Sequence, residues 1–280
     1  MTRSCCIFIG LFATVFGHHG YAQSELAMYV ARTVSVAPPA RESYLACLQH
    51  AALPVWRDLR KQGLLTGESI YETTEVRKVE NGAPPWTFLL LSHVGPSATP
   101  QSYLAAEDER LGPSPGSSRC TDAAGASTQR LEVLRSTPNS YYPRVDEEDD
   151  REALKENVSY DIEYIAVHDQ REALDRYRDN MRTYLGPAIG VMIGRKELFS
   201  FVALETVAVL YARPGMPNWN QIHLSGRMPE DREKFRSALE AASRQVDPKR
   251  TAEGDAALLN RLRTRPRIDT ARKLYELTVR

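Results

Sequence analysis

Gly82-Ala83-Pro84-Pro85-Trp86 and Gly215-Met216-Pro217-Asn218-Trp219 are the two stretches whose comparison decides the fold. A shift of 133 residues (215 minus 82) lays one on the other and brings Gly, Pro and Trp into coincidence. The same shift places Leu91-Ser92 on Leu224-Ser225, Glu72-Thr73 on Glu205-Thr206, Pro54 on Pro187 and Tyr44 on Tyr177. It also aligns Val34 with Val167, Leu65 with Leu198, Val76 with Val209 and Pro96 with Pro229. One ungapped shift that matches a Trp, several Pro and a Gly points to an internal duplication.

Working outward, each copy reads alike. Met28 to Val36 and Val158 to Val167 are β-rich and alternate, so each is a first strand. Tyr44, Leu48, Ala52, Val55 and Leu59 then recur at helical spacing, as do Tyr177, Met181, Leu185, Ala188 and Met192. Pro54 and Pro187 are expected to kink these helices or end them early, and Gly63 and Gly194 to stop them. A hairpin follows, Ser69 to Val79 with Trp86 to Val94, and Leu198 to Ala212 with Trp219 to Leu224. A second helix opens at Thr99-Pro100 or Pro229-Glu-Asp, and Arg130 to Arg135 and Ala271 to Val279 are the closing strands. The order β-α-β-β-α-β is the split ferredoxin-like unit, and the fold class is α+β. The expected domains are a first repeat over 23–145, an acidic linker over 146–157 and a second repeat over 158–280.

The N-terminus carries Arg3, an apolar run from Cys5 to Gly17 and then Gly20-Tyr21-Ala22, which reads as a signal peptide over 1–22 cleaved after Ala22. The expected location is therefore periplasmic or extracellular, with no membrane contact after cleavage. Lys and Arg together number 36, as do Asp and Glu, and this balance speaks against a dedicated nucleic-acid binder. Cleavage leaves Cys47 and Cys120, a pair that can form a disulfide in an oxidising compartment or persist as two thiols. Asn157-Val-Ser159 fits a glycosylation sequon, relevant only in a eukaryotic source.

With its two β-α-β-β-α-β copies and a first helix ending in Gly63 or Gly194, the chain resembles a tandem member of the dimeric α/β-barrel superfamily. The NIPSNAP-like and antibiotic-biosynthesis-monooxygenase-like branches are the most similar. The resemblance implies that the two sheets close a pseudo-dimeric barrel within one molecule. It also implies a cavity between each sheet and its helices, used for heme, for small aromatic or polyketide-like substrates, or for no known chemistry.

Site candidates come from strand alternation. The second strand of copy two is apolar on both phases, which implies cover on both faces, and Glu205 interrupts it. A hairpin symmetric about Gly215 would set Glu205 opposite Ser225 and Val207 opposite His223, so that Glu205, Gln221, His223 and Ser225 share one face. Glu205 and His223 are then candidates for an acid–base pair, since proton transfer uses a carboxyl of raised pKa beside an imidazole. The competing reading is a Glu–Ser hydrogen bond, matched by Glu72 and Ser92 in copy one. Tyr164 and His168 lie on the barrel-facing phase of their strand, His168 at its exposed end, and count as candidate ligand contacts with Gln221 and Ser225. Trp86 and Trp219 read as packing at the sheet edge.

Gly112-Pro-Ser114-Pro-Gly116 matches G-x-S-x-G but lacks the strand and helix that a nucleophile elbow needs. No histidine or cysteine spacing indicates a metal. No cofactor is predicted. Heme is the one that the resemblance leaves open, with His50 as the helix-borne candidate. The leading expectation is an exported barrel, monomeric or homo-oligomeric, that binds a small apolar or aromatic molecule. The alternatives are a cofactor-independent monooxygenase or isomerase-like enzyme using Glu205 and His223, and a non-catalytic structural or interaction module.

Overall fold

The computed structural model describes residues 26–80, 82–112, 120, 125–140, 158–168, 170–227 and 234–277. The signal peptide expected over 1–22 and the acidic linker at 146–157 lie outside the described residues, as does Ser114 of the G-x-S-x-G match.

The first half contains β1 (Met28–Ser35), helix α1, β2 (Leu65–Val79), β3 (Phe88–Val94), α2 (Pro100–Leu111) and β4 (Ser127–Ser136). The second contains β5 (Ser159–Val167), helix α3, β6 (Ser200–Ala212), β7 (Gln221–Arg227), α4 (Phe235–Val246), α5 (Ala252–Leu262) and β8 (Arg263–Leu277). The sequence reading did not foresee α5, and β8 starts earlier than expected. Eight strands close one barrel in the order β1-β3-β2-β8-β5-β7-β6-β4. Read by halves, this is β4-β1-β3-β2 followed by β8-β5-β7-β6, joined through β2–β8 and β4–β6. Every ladder is antiparallel. The α+β class and the closed barrel are thus as expected, with the helices outside.

Neither proline ends its helix. α1 runs Arg41–Cys47, passes through a π turn at Leu48–Ala52 and continues over Leu53–Lys61. α3 runs Arg171–Asn180, passes through a π turn at Met181–Leu185 and continues over Gly186–Gly194. In each π turn an N–H reaches back five residues, from Leu53 to the Leu48 carbonyl and from Gly186 to the Met181 carbonyl. Pro54 or Pro187 comes next, so the wider turn absorbs the residue that lacks an N–H.

The barrel lumen is packed solid. Tyr29, Tyr71, Trp86, Tyr160, Tyr164, Leu204, Trp219 and Leu224 are all buried there. Trp86 and Trp219 occupy matching places, 5.6 Å apart between ring centroids, and lie in the lumen instead of at a sheet edge. Arg130 of β4 stacks over Trp219 at 4.0 Å, and Arg267 of β8 stacks over Trp86 at 3.6 Å. Each arginine thus crosses to the tryptophan of the other half. Arg130 pairs with Glu132 and Arg267 with Asp269, all nearly inaccessible to water. Glu132 also accepts hydrogen bonds from Trp219 Nε1 (2.8 Å) and Thr206 Oγ1 (3.0 Å). Buried charges need such pairing.

Two further cores lie outside the barrel, one under α1 and α2 and one under α3 and α4. Their cover stops short of the strand ends. Val207, Val209 and Leu210 are 54%, 47% and 45% exposed, so the apolar run of β6 is not covered on both faces throughout. The expected register also shifts. Glu205 stands opposite Gln221, Ala203 opposite His223 and Phe201 opposite Ser225. Residues 213–220 leave the ladder while Trp219 turns into the lumen, which moves the centre of the hairpin back from Gly215. In the first half Glu72 faces Phe88, and Ser92 faces Glu68.

Candidate functional site

A cavity of about 470 Å³ lies between α3 and the outer face of β6 and β7. Segment Arg135–Asn139, the end of β4 and the turn after it, forms one wall, so the cavity sits at the seam of the two halves. Its volume falls in the range of small-molecule sites. The buried wall includes Ser136, Asn139, Tyr177, Met181, Ala203, Gln221 and His223. The half-buried Glu205 and the exposed Arg135, Asp175, Arg178, Asp179 and Arg182 stand at the rim.

Strand alternation aims these groups outward. Residues 203 and 205 on β6, and 221 and 223 on β7, share one face because side chains alternate along a strand. His223 Nε2 lies 3.3 Å from the Tyr177 hydroxyl, which also accepts from Arg263 NH1 at 3.2 Å. Burial, reinforced by the Arg263 charge, pushes the His223 imidazole down to about 3, so it is neutral at physiological pH. Glu163 stands directly opposite His223 in the ladder. Burial alone would raise the Glu163 carboxyl, but Arg263 and Arg265 hold it below its ordinary range.

Glu205 is held elsewhere. Arg178 donates to both its oxygens, through Nε at 3.1 Å and through the second guanidinium nitrogen. Arg135 adds a third contact at 3.6 Å. Glu72 is bound the same way by Arg41 and Arg272. The Glu–Ser hydrogen bond expected at these positions is therefore replaced in both halves by Glu–Arg pairs.

A second space, of about 30 Å³, remains in the first half under α1 and α2. Leu90 stands where the second half has His223. Glu107 accepts from Arg32, from Trp56 Nε1 (2.8 Å) and from the Tyr103 hydroxyl (2.7 Å). Glu68 is 1% exposed, and neither carboxyl oxygen has a hydrogen-bond partner among the described residues. Burial, with the Glu107 charge adding to it, raises the Glu68 carboxyl to about 8. Cys120 lines this residual space and forms a disulfide with Cys47, the Cα atoms 5.4 Å apart.

Of the residues singled out from sequence, the cavity brings together Glu205, Gln221 and His223. No hydrogen bond or ion pair joins Glu205 to His223 among the described residues. Tyr164 does not reach the cavity: it is buried in the lumen, where its hydroxyl accepts from Trp86 Nε1 at 3.1 Å. His168 is exposed at the end of β5, and Ser225 lies opposite Phe201 away from the cavity lining. Tyr177, Met181 and Arg178 escaped the sequence reading because a tyrosine and a methionine in a helical stripe look like core. The signal that locates them is the Glu205 carboxylate, which needs a cation from the covering helix.

The described residues contain no group of three or more metal-ligating side chains. Heme, which the resemblance implies, takes an axial histidine in many proteins. α3 carries no histidine, His50 and His168 are exposed, His93 stacks on Tyr29, and His223 turns Nε2 to Tyr177. These residues do not fit a histidine-ligated heme.

No family model and no curated relative matches the chain. Among solved structures it is similar to a mutant chlorite dismutase from Candidatus Nitrospira defluvii in complex with cyanide, at 12% identity and a TM-score of 0.44. That match covers 89% of this chain and 92% of the other. It is also similar to a presumed monooxygenase from Lactobacillus acidophilus NCFM, at 9% identity and a TM-score of 0.45, covering 91% and 97%. A chlorite dismutase in complex with imidazole, from the same Nitrospira, matches at 11% identity and 0.43, covering 89% and 92%. At these values the likenesses assign no activity to this chain.

Proposed function

We propose that the protein is an exported small-molecule-binding barrel whose ligand enters the cavity under α3. One observation carries this reading. Where α3 crosses β6 and β7, about 470 Å³ stays open beside the buried Tyr177, Gln221 and His223. Interiors are close-packed, so an open space of that size with convergent polar groups is the default position for a ligand. The common strand order and the matched tryptophans also support descent from one duplicated unit. Export is supported by the N-terminal sequence and by the pairing of Cys47 with Cys120, a bond favoured in oxidising compartments. The acid–base use of Glu205 and His223 has less support, because the carboxylate is held by Arg178 and the imidazole by Tyr177.

The test is methyl NMR on methionine-labelled protein titrated with indole, a neutral aromatic. The Met181 methyl on the cavity wall is expected to shift, and that of Met216, which packs against the lumen core, is expected to stay. An unmoved Met181 would overturn the reading.

A further inference from the structure

We infer that the cavity takes an uncharged ligand presenting a hydrogen-bond donor and acceptor side by side, of the carboxamide or lactam kind. This rests on the cavity being the binding site. The charged groups at the rim are already matched: Glu205 with Arg178 and Arg135, and Asp179 with Arg182 at 2.8 Å. His223 is neutral. An ionic ligand would therefore enter with no free countercharge, and burying an unpaired charge is costly.

The unmatched groups are polar and uncharged. Gln221 lines the cavity at 2% exposure, and its amide has no hydrogen-bond partner among the described residues. Thr137 Oγ1, on the wall from the first half, is likewise buried and unpartnered. His223 uses Nε2 toward Tyr177, and Nδ1 has no partner among the described residues. A primary amide offers both donors and an acceptor, so Gln221 is complementary to another amide edge. Gln221 and His223 sit two residues apart on β7 and face the same way, so one planar ligand reaches both. Ala203, Met181 and the imidazole face supply the apolar surface for the rest of that ligand.

The test uses three probes with one ring: benzamide, benzoate and ethylbenzene, each titrated calorimetrically into the full mature chain. Benzamide is expected to bind about tenfold more tightly than benzoate. Gln221→Leu, close in volume, is expected to weaken benzamide about tenfold while ethylbenzene binds no more weakly. Thr137→Val, on the other wall, is expected to weaken benzamide more modestly and keeps the test alive if the strand substitution does not fold. Benzoate binding as tightly as benzamide, or benzamide unaffected by both substitutions, overturns the inference. Ethylbenzene binding alone overturns it while leaving the binding-site reading intact. Binding of none of the three overturns both.

Discussion

Glu68 and His223 respond to burial in opposite directions. The Glu68 carboxyl, raised to about 8, is protonated in the folded chain and titrates near its ordinary value of 4.5 when unfolded. Its stabilising contribution is full below pH 4.5 and is lost as pH rises through 8, because the folded state holds the extra proton. Glu68→Gln keeps the neutral shape, so the substituted chain should lose about 4 kcal/mol less stability than the parent between pH 5 and 9 in urea unfolding. His223, lowered to about 3, is neutral when folded, and its contribution is full above pH 6.5 and lost as pH falls through 3. His223→Leu, which copies Leu90 of the first half, should shift acid unfolding to lower pH, as read by circular dichroism. The sequence marks His223 and Glu205 as polar interruptions of apolar strands. It does not show that Arg178 takes Glu205, since that contact depends on where α3 crosses the sheet.

At the level of elements, the strands are the most legible part. Alternation and punctuation place all eight, while the helices hold the surprises. A proline inside an apolar stripe reads as a break, yet the π turns at Leu48–Ala52 and Met181–Leu185 carry both helices through. The second turn ends at Gly186, where an added Cβ would lie 2.3 Å from Asn139 Oδ1 and 2.6 Å from the Met181 carbonyl. Gly186→Ala should therefore cost about 1–3 kcal/mol in urea unfolding, since the backbone carbonyl has to move. An unchanged transition would mean that the segment after β4 docks less firmly than described. The hairpin register was not legible because it depends on Trp219 entering the lumen, which no local turn signal encodes. α5 was equally hidden, since the sequence reading placed no element between Val246 and Ala271.

Across the whole molecule, the likeness of the two halves was legible because one offset matches Trp, Pro and Gly together, and the two tryptophans do occupy matching sites. The cavity was not. It forms where α3 and the end of β4 meet over β6 and β7, residues far apart in sequence that come together only in the fold. The Cys47–Cys120 bond closes a loop of separation 73, for which chain entropy gives about 4 kcal/mol. Reduction should lower stability by about 2–4 kcal/mol in urea unfolding, and the loss should vanish in a Cys47→Ala, Cys120→Ala chain. The central claim is that the cavity under α3 takes a ligand. Fluorescence titration with the neutral probe N-phenyl-1-naphthylamine tests it most directly, using the parent chain and Ala203→Phe, which fills the cavity wall. The account predicts a single bound probe per chain, lost in Ala203→Phe. Two bound probes, none, or one that survives Ala203→Phe would contradict it.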